Sequence, residues 1–339
     1  MAEAKERLDY VDAGKGFSIC VVVYAHAGGA ANPWIAFLAL LIMPLFFFSS
    51  GLFAERVLTQ SWGTLLRGRV ASLMALFVVL TFWQHLATVG VREAYHGLPN
   101  GLRLHVPASL LWSPPITIWF LYALAIATVV TKLARDTGWQ AVMAVLFVLY
   151  CWDIAAVPYR EMAFPDRLIR YAPFFLIGVR YRAQIGDLIA RRHRLWFAPL
   201  AVSAALLAGF WDTDALRFGP LQLAISLMMA MGTIMLLRTF RRTVIVRVLA
   251  AFGRYSFLVY AFHRVPLFYG QKALGQLGVD HTLTTAALLA AAAVPCAFAL
   301  GLLMMRLPPF SWIERHKRGK PVFAQGGRRL IWVRSGALG

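Results

Sequence analysis

The sequence has few charged residues, and acidic residues are especially scarce. Only 14% of its 339 residues are Asp, Glu, Lys or Arg, and 60% are hydrophobic, whereas a soluble protein carries about 25% charged residues. Apolar runs of about 20 residues recur from one end of the chain to the other, and each is long enough to cross a bilayer as a helix. We therefore predict an all-α polytopic membrane protein.

Cysteine is also scarce, and the usual catalytic and metal motifs are absent. The three cysteines, Cys20, Cys151 and Cys296, all fall within or at the end of apolar runs, without a disulfide framework or Cys-x-x-Cys metal spacing. The sequence has no phosphate-binding glycine loop and no nucleophile elbow. We predict no bound metal or cofactor. The first apolar run lacks a small-residue cleavage site, so we expect it to be retained as a helix.

The apolar runs define the predicted domain organisation. They predict ten transmembrane helices, over residues 15–32, 34–54, 70–88, 108–131, 138–152, 168–181, 195–211, 220–238, 249–269 and 282–305. These helices form one membrane domain over residues 15–305, between a cytoplasmic tail at 1–14 and a basic cytoplasmic tail at 306–339.

The excess of positive charge gives the orientation. The net charge is +19, but the charge falls in the loops, so it indicates membrane topology and not nucleic-acid binding. Most of the 34 lysines and arginines lie on the side that holds both termini, which predicts N-in, C-in. We expect the densest basic loops to contact anionic membrane lipids.

The first predicted helix carries a histidine deep among apolar residues. Lys15 and His26 are eleven positions apart, or roughly three turns, so they share a helix face with about 16 Å between them along the axis. On a helix over 15–32, His26 lies near the middle of the bilayer, where ionisable groups usually face a protein-lined interior. Asp12 is about 21 Å from His26 along the axis and cannot orient it directly. A purely structural hydrogen bond between helices is the alternative for His26.

The ninth predicted helix holds a second polar group. Ser256 and His263 are seven residues apart and share a face, and Tyr260 neighbours both. These three side chains either line the acceptor side of a tunnel or make hydrogen bonds between helices.

Two arginines precede the third predicted helix. Arg67 and Arg69 point about 160° apart, so at most one faces the interior. They either anchor the helix at the cytoplasmic surface or bind an anionic group such as a phosphate.

Three stretches together resemble the membrane-bound acyltransferase-3 family of sugar O-acetylases, including its fucose 4-O-acetylase-like branch. The first is Lys15 followed by ten residues and His26. The second is Met43-Pro-Leu-Phe-Phe-Phe-Ser-Ser-Gly51, in which the proline predicts a kink and the glycine a close helix approach. The third is the Ser256, Tyr260 and His263 pattern. The sequence departs from the commoner family pattern in having lysine at position 15 and in the spacing of its two arginines before the third helix.

The resemblance implies transfer of an acetyl group from cytoplasmic acetyl-CoA to a hydroxyl of an exported or lipid-linked sugar. It also implies a bacterial inner-membrane protein that works beside polysaccharide-biosynthesis machinery. His26 is then either a general base or a nucleophile that carries the acyl group. Lys15, Arg67 or Arg69 holds the donor phosphates or stabilises the oxyanion. The basic cytoplasmic loops, of which the one from Arg180 to Arg194 is the densest, are the alternative site for these phosphates.

Three other functions remain open at this point. Succinyl is the alternative acyl group within the same family. A transporter or flippase for a glycolipid or small anion fits the polytopic bundle with its buried cations. A non-catalytic subunit of a polysaccharide export assembly is the third alternative.

Overall fold

The computed structural model describes residues 9–28, 33–81, 83, 118–157, 164–210, 217–280 and 282–307. Within these ranges the chain is all-helical, with fourteen α-helices. In chain order they are α1 (Asp9–His26), α2 (Pro33–Leu52), α3 (Arg56–Thr59), α4 (Trp62–Thr81), α5 (Trp119–Thr137), α6 (Trp139–Ala156), α7 (Phe164–Arg180), α8 (Arg182–Arg192), α9 (Phe197–Phe210), α10 (Gly219–Thr239), α11 (Val244–Arg254), α12 (Ser256–Phe262), α13 (Arg264–Gln276) and α14 (Leu283–Met304).

Several of these helices are suited to a membrane. Four, namely α4, α6, α10 and α14, are long and apolar enough to cross a bilayer, and the number rises to six if each of two bent pairs forms one span. On α6, the side chains of Val148 and Trp152 are 65% and 72% exposed, as expected of a surface that faces lipid. The chain is therefore a multi-pass membrane protein by length and composition, while the predicted count of ten spans and the N-in, C-in orientation remain predictions.

The first helix is displaced from its predicted position. It begins at Asp9, six residues before the predicted start, and ends at His26. Asp9 and Asp12 in its first turn favour the earlier start, because carboxylates stabilise a helix N-terminus. Gly28, with φ of 115°, breaks the helical conformation soon after His26. His26 is consequently the last residue of α1 and does not lie in its middle.

The predicted ninth helix is broken into α11, α12 and α13. The α11 and α12 segments meet at Tyr255 with a bend of 64°. The second break follows from Pro266, which has no N–H to donate to the carbonyl of Phe262, where α12 ends. His263 lies at this second break, between α12 and α13.

Helix α1 is at the centre of the described structure and packs against α2, α10, α11, α12 and α14. Its crossing with α11 depends on two glycines. A Cβ on Gly16 would overlap the carbonyl of Leu249, and one on Gly253 would overlap the carbonyl of Asp12. The two backbones are therefore in direct contact, which sets the path of the chain from α11 towards His263.

A second glycine pair joins α2 to α7. Gly51 and Gly178 face each other, and a Cβ on either would overlap the backbone of the opposite helix. This close contact confirms the helix approach expected at Gly51. The phenylalanines of the α2 motif fill the core beside it, since Phe47 and Phe48 are almost completely buried.

An ion pair is buried between α6 and α7. The Arg170 guanidinium binds the Asp153 carboxylate, and both residues are less than a tenth exposed. Arg170 also donates to the carbonyl of Asp153 at 3.1 Å and to the carbonyl of Val157. The arginine thus supplies a donor to the carbonyl of Val157, just past the end of α6, and a second donor to the carbonyl of Asp153, which also accepts from the Val157 N–H.

Candidate active site

The two histidines singled out in the sequence are in direct contact. His26 Nδ1 lies 2.9 Å from His263 Nε2, and the planes of the two imidazole rings are 9° apart. His263 is fully buried, whereas His26 is half-buried. The contact joins the end of α1 to the break between α12 and α13.

The hydrogen bonds around the pair fix the tautomers of the neutral rings. His263 Nδ1 is 2.8 Å from the carbonyl oxygen of Tyr260, and because a carbonyl only accepts, this nitrogen carries the proton. His263 Nε2 of the neutral ring then accepts, so His26 Nδ1 donates to it. The remaining nitrogen, His26 Nε2, has a lone pair that neither of these bonds uses. It is the basic atom of the pair.

Tyr260 and Ser256 have other surroundings. The Tyr260 hydroxyl accepts a hydrogen bond of 3.2 Å from the backbone N–H of Phe120, in the first turn of α5. Tyr260 contributes to the histidine pair through its carbonyl, while its hydroxyl caps another helix. Ser256 is buried as the first residue of α12, at the opposite end of that short helix from His263.

Lys15 lies well away from the histidine pair. It is eleven residues before His26 on α1, about 16 Å along the axis. Its ammonium lies over the ring of Phe53, 4.2 Å from the ring centroid, which is a cation–π contact. Lys15 and His26 therefore occupy different levels of the same helix.

Arg67 and Arg69 both fall in a π-helical segment of α4, Leu66–Val70. Arg67 is exposed and Arg69 is half-buried. The segment packs against α5. Single-turn π segments often occur at functional sites because they change the direction of the side chains.

A cavity of about 410 Å³ lies at the N-terminal end of α1, far from His26. Its walls come from α1, α2, α7, α8 and the segment between α2 and α4, and they include Val11, Leu52, Glu55, Arg180, Arg182 and Ile189. Arg182 is ion-paired with Glu55. Arg180 is exposed, and its guanidinium lies over the rings of Trp139 and Tyr181, 5.9 Å and 5.5 Å from their centroids.

Two residues near the histidine pair were not identified from the sequence. Gln271 Nε2 donates to the carbonyl of His26 at 3.3 Å, and Arg264 directly follows His263 in the chain. A sequence signal for them exists, because Arg264 and Gln271 are seven residues apart and fall on one face of a helix. Because a new helix, α13, begins after the break at His263, Arg264 and Gln271 lie together on this helix.

The model of one protein family matches the chain. It is described as an acyltransferase domain, the acyltransferase-3 type, and it matches residues 8–305. The chain therefore belongs to the acyltransferase-3 family. No curated protein and no solved structure matches the chain.

Proposed function

We propose that this protein is an integral-membrane O-acyltransferase that moves an acetyl group from acetyl-CoA to a sugar hydroxyl of a cell-surface or exported glycan. The observation that carries the proposal is the hydrogen-bonded pair of His26 and His263 in a chain of the acyltransferase-3 family. An imidazole with one nitrogen held by a partner and the other available is suited to proton transfer near neutral pH.

In the proposed reaction, His26 Nε2 removes the proton of the sugar hydroxyl while the sugar oxygen bonds to the thioester carbonyl carbon. The intermediate then releases the CoA sulfur, and the proton on His26 passes to that sulfur. The products are an O-acyl sugar and free CoA. His263 supports His26 because it accepts from Nδ1 and shares the positive charge when His26 is protonated. The alternative route, in which His26 Nε2 itself carries the acyl group, uses the same lone pair.

The donor is proposed to bind at the opposite end of α1. The cavity at Val11 is about 22 Å from His26 along the helix axis, a distance that a long pantetheine arm is suited to bridge. Arg180 supplies positive charge for the CoA phosphates at its mouth. Lys15 lies between the two levels and is proposed to contact the donor on its way to His26. Arg69 is the better candidate of the two α4 arginines for an inward role, because it is half-buried.

This proposal also sets the location and the partners of the protein. The acceptor side is proposed to face away from the cytoplasm, in a bacterial inner membrane, next to polysaccharide-biosynthesis machinery that supplies the glycan. Succinyl-CoA is the competing donor.

The test uses the purified protein in nanodiscs, with acetyl-CoA labelled in its acetyl group. A glycan-bearing membrane extract from cells that lack this protein supplies the acceptor. The wild type is expected to transfer label to glycan, and His26→Ala is expected to lose this activity, whereas His193→Gln, a change in a histidine outside the pair, retains it. Wild-type transfer by His26→Ala would refute the catalytic role. Uptake of glycolipid into vesicles without covalent label would favour a transporter.

A further inference from the structure

Arg264 differs from three other arginines that are at least half-buried. Arg170 is paired with Asp153, Arg182 with Glu55, and Arg238 donates to the Tyr10 hydroxyl and covers its ring. Arg264 is also half-buried, yet it makes no hydrogen bond or ion pair to any part of the chain that the structure describes. A cation that is withdrawn from water without a partner is costly, particularly in a membrane protein.

The direction of Arg264 follows from the geometry of α13. Arg264 and Gln271 are seven residues apart, so they project within about 20° of each other. Gln271 donates to the carbonyl of His26 at 3.3 Å, so this face of α13 is turned towards the end of α1. Consistently, the charge of Arg264 is an electrostatic neighbour of both His26 and His263.

Among the residues that the structure describes, no carboxylate pairs with Arg264, whose charge acts on both imidazoles. Its five N–H donors favour an oxygen that carries negative charge. In acyl transfer, such an oxygen forms next to the general base, because the base and the attacked carbonyl share the same sugar hydroxyl.

We propose that Arg264 stabilises the oxyanion that develops on the acyl carbonyl oxygen. This inference rests on the proposed function. As the sugar oxygen bonds to the carbonyl carbon, and its proton moves to His26 Nε2, the electron pair of the C=O π bond moves onto the carbonyl oxygen. Arg264 donates N–H to that oxygen. When the C–S bond breaks, the C=O bond forms again and the negative charge leaves with the CoA sulfur.

The test compares Arg264→Gln and Arg264→Lys with wild type in the nanodisc assay. Loss of one oxyanion donor typically lowers kcat by about 10²–10³-fold. We expect this loss for Arg264→Gln, with the KM values for acetyl-CoA and for the glycan extract changed no more than a few-fold. Arg264→Lys keeps the charge but not the planar donor array, so we expect its kcat to be lower than that of wild type and higher than that of Arg264→Gln. Arg254→Gln is the matched control, since Arg254 is exposed and lies near Asp9 at 3.8 Å.

A binding measurement separates a catalytic effect from a folding effect. A non-reactive acetyl-CoA thioether analogue, which forms no oxyanion, is expected to bind wild type and Arg264→Gln equally. If Arg264→Gln does not fold, the test rests on the kcat of Arg264→Lys. A kcat of Arg264→Lys equal to that of wild type overturns the proposal. An unchanged kcat in Arg264→Gln, or a loss confined to the KM of the glycan extract, also overturns it. His26→Ala in the same assay distinguishes the oxyanion role of Arg264 from the proposed acyltransferase function. If His26→Ala is inactive and Arg264→Gln is fully active, the role of Arg264 is refuted and the proposed function is not.

Discussion

The imidazoles of His26 and His263 are joined Nδ1 to Nε2 at 2.9 Å, although 237 residues separate them in the chain. His263 stands where a carboxylate orients the histidine of an acyl-transfer triad, but it is a neutral group anchored by a main-chain carbonyl. His263 is therefore a positioning residue for the proposed base, which it orients by accepting the hydrogen bond of His26 Nδ1 at its Nε2.

Replacing His263 tests this positioning role. His263→Leu removes the acceptor for His26 Nδ1, so we expect kcat to fall roughly 10²-fold or more, since general-base catalysis contributes about 10²–10⁴. In His263→Gln, the side-chain carbonyl can accept the same hydrogen bond, and we expect it to recover much of the loss. The matched control is Tyr260→Phe, which keeps the carbonyl that holds His263. Equal kcat values for the Leu and Gln variants would contradict the positioning role.

The α1–α11 crossing predicts a stability effect far from the histidines. Gly16→Ala places a Cβ against the carbonyl of Leu249, a backbone atom that cannot rotate away. We expect a loss of about 1–3 kcal/mol or more in the free energy of unfolding, together with reduced transfer activity as the two helices separate. Gly63→Ala, in α4, meets no atom within 4 Å and is expected to leave the thermal midpoint unchanged or slightly raised. Thermal unfolding in detergent measures both, and equal midpoints would contradict the described crossing.

The buried pair between α6 and α7 predicts an asymmetric mutational response. Arg170→Leu leaves the Asp153 carboxylate buried beside Asp166 without its cationic partner, and we expect a loss of roughly 3–5 kcal/mol in stability. Adding Asp153→Leu removes that charge and is expected to recover part of the stability. The recovery is incomplete because the carbonyl of Val157 still lacks the donor that Arg170 supplies. Thermal unfolding of the single and double variants checks this, and a double variant no more stable than Arg170→Leu would refute it.

The cavity at the N-terminal end of α1 predicts a donor-specific effect. Arg180→Gln removes an exposed cation from its mouth. We expect the KM for acetyl-CoA to rise roughly three- to tenfold, with kcat nearly unchanged. The free energy that corresponds to this change is no larger than that of one charge-assisted hydrogen bond. Initial rates over a range of acetyl-CoA concentrations measure this. Arg247→Gln, at an exposed position of α11, serves as the control, and equal KM values for the two variants would argue against donor binding at this cavity.

Much of the fold follows from composition and local pattern. The predicted apolar runs that lie within the described residues are helical, although the ninth is broken at Tyr255 and His263. Gly51 predicted the close approach of two helices, although its partner Gly178 depends on tertiary packing. Helix ends were less predictable. Asp9, Asp12 and Gly28 explain where α1 begins and ends. The sequence prediction placed the helix by its long apolar run and gave these three residues too little weight.

The site was predictable as a set of residue types but not as an arrangement. His26 and His263 stand out in the sequence because each is ionisable within an apolar run. Their pairing depends on how α1 packs against α11 and α12, which no local pattern contains. Arg264 was not singled out because its relation to His26 depends on the packing of α13 against the end of α1, where Gln271 donates to the His26 carbonyl.

The short first helix has a consequence for which substrates the protein can accept. Its 18 residues extend for about 27 Å, nearly the thickness of a hydrocarbon layer, and His26 is the last of them. With the donor at the other end, as proposed, the thioester arm extends along most of this helix and the sugar enters very little. On this proposal a long or branched polymer needs to present only one hydroxyl at the His26 end, and we expect transfer to be insensitive to the size of the glycan. The acyl group, in contrast, is carried by an arm of fixed length, so we expect the length of the acyl chain to be restricted.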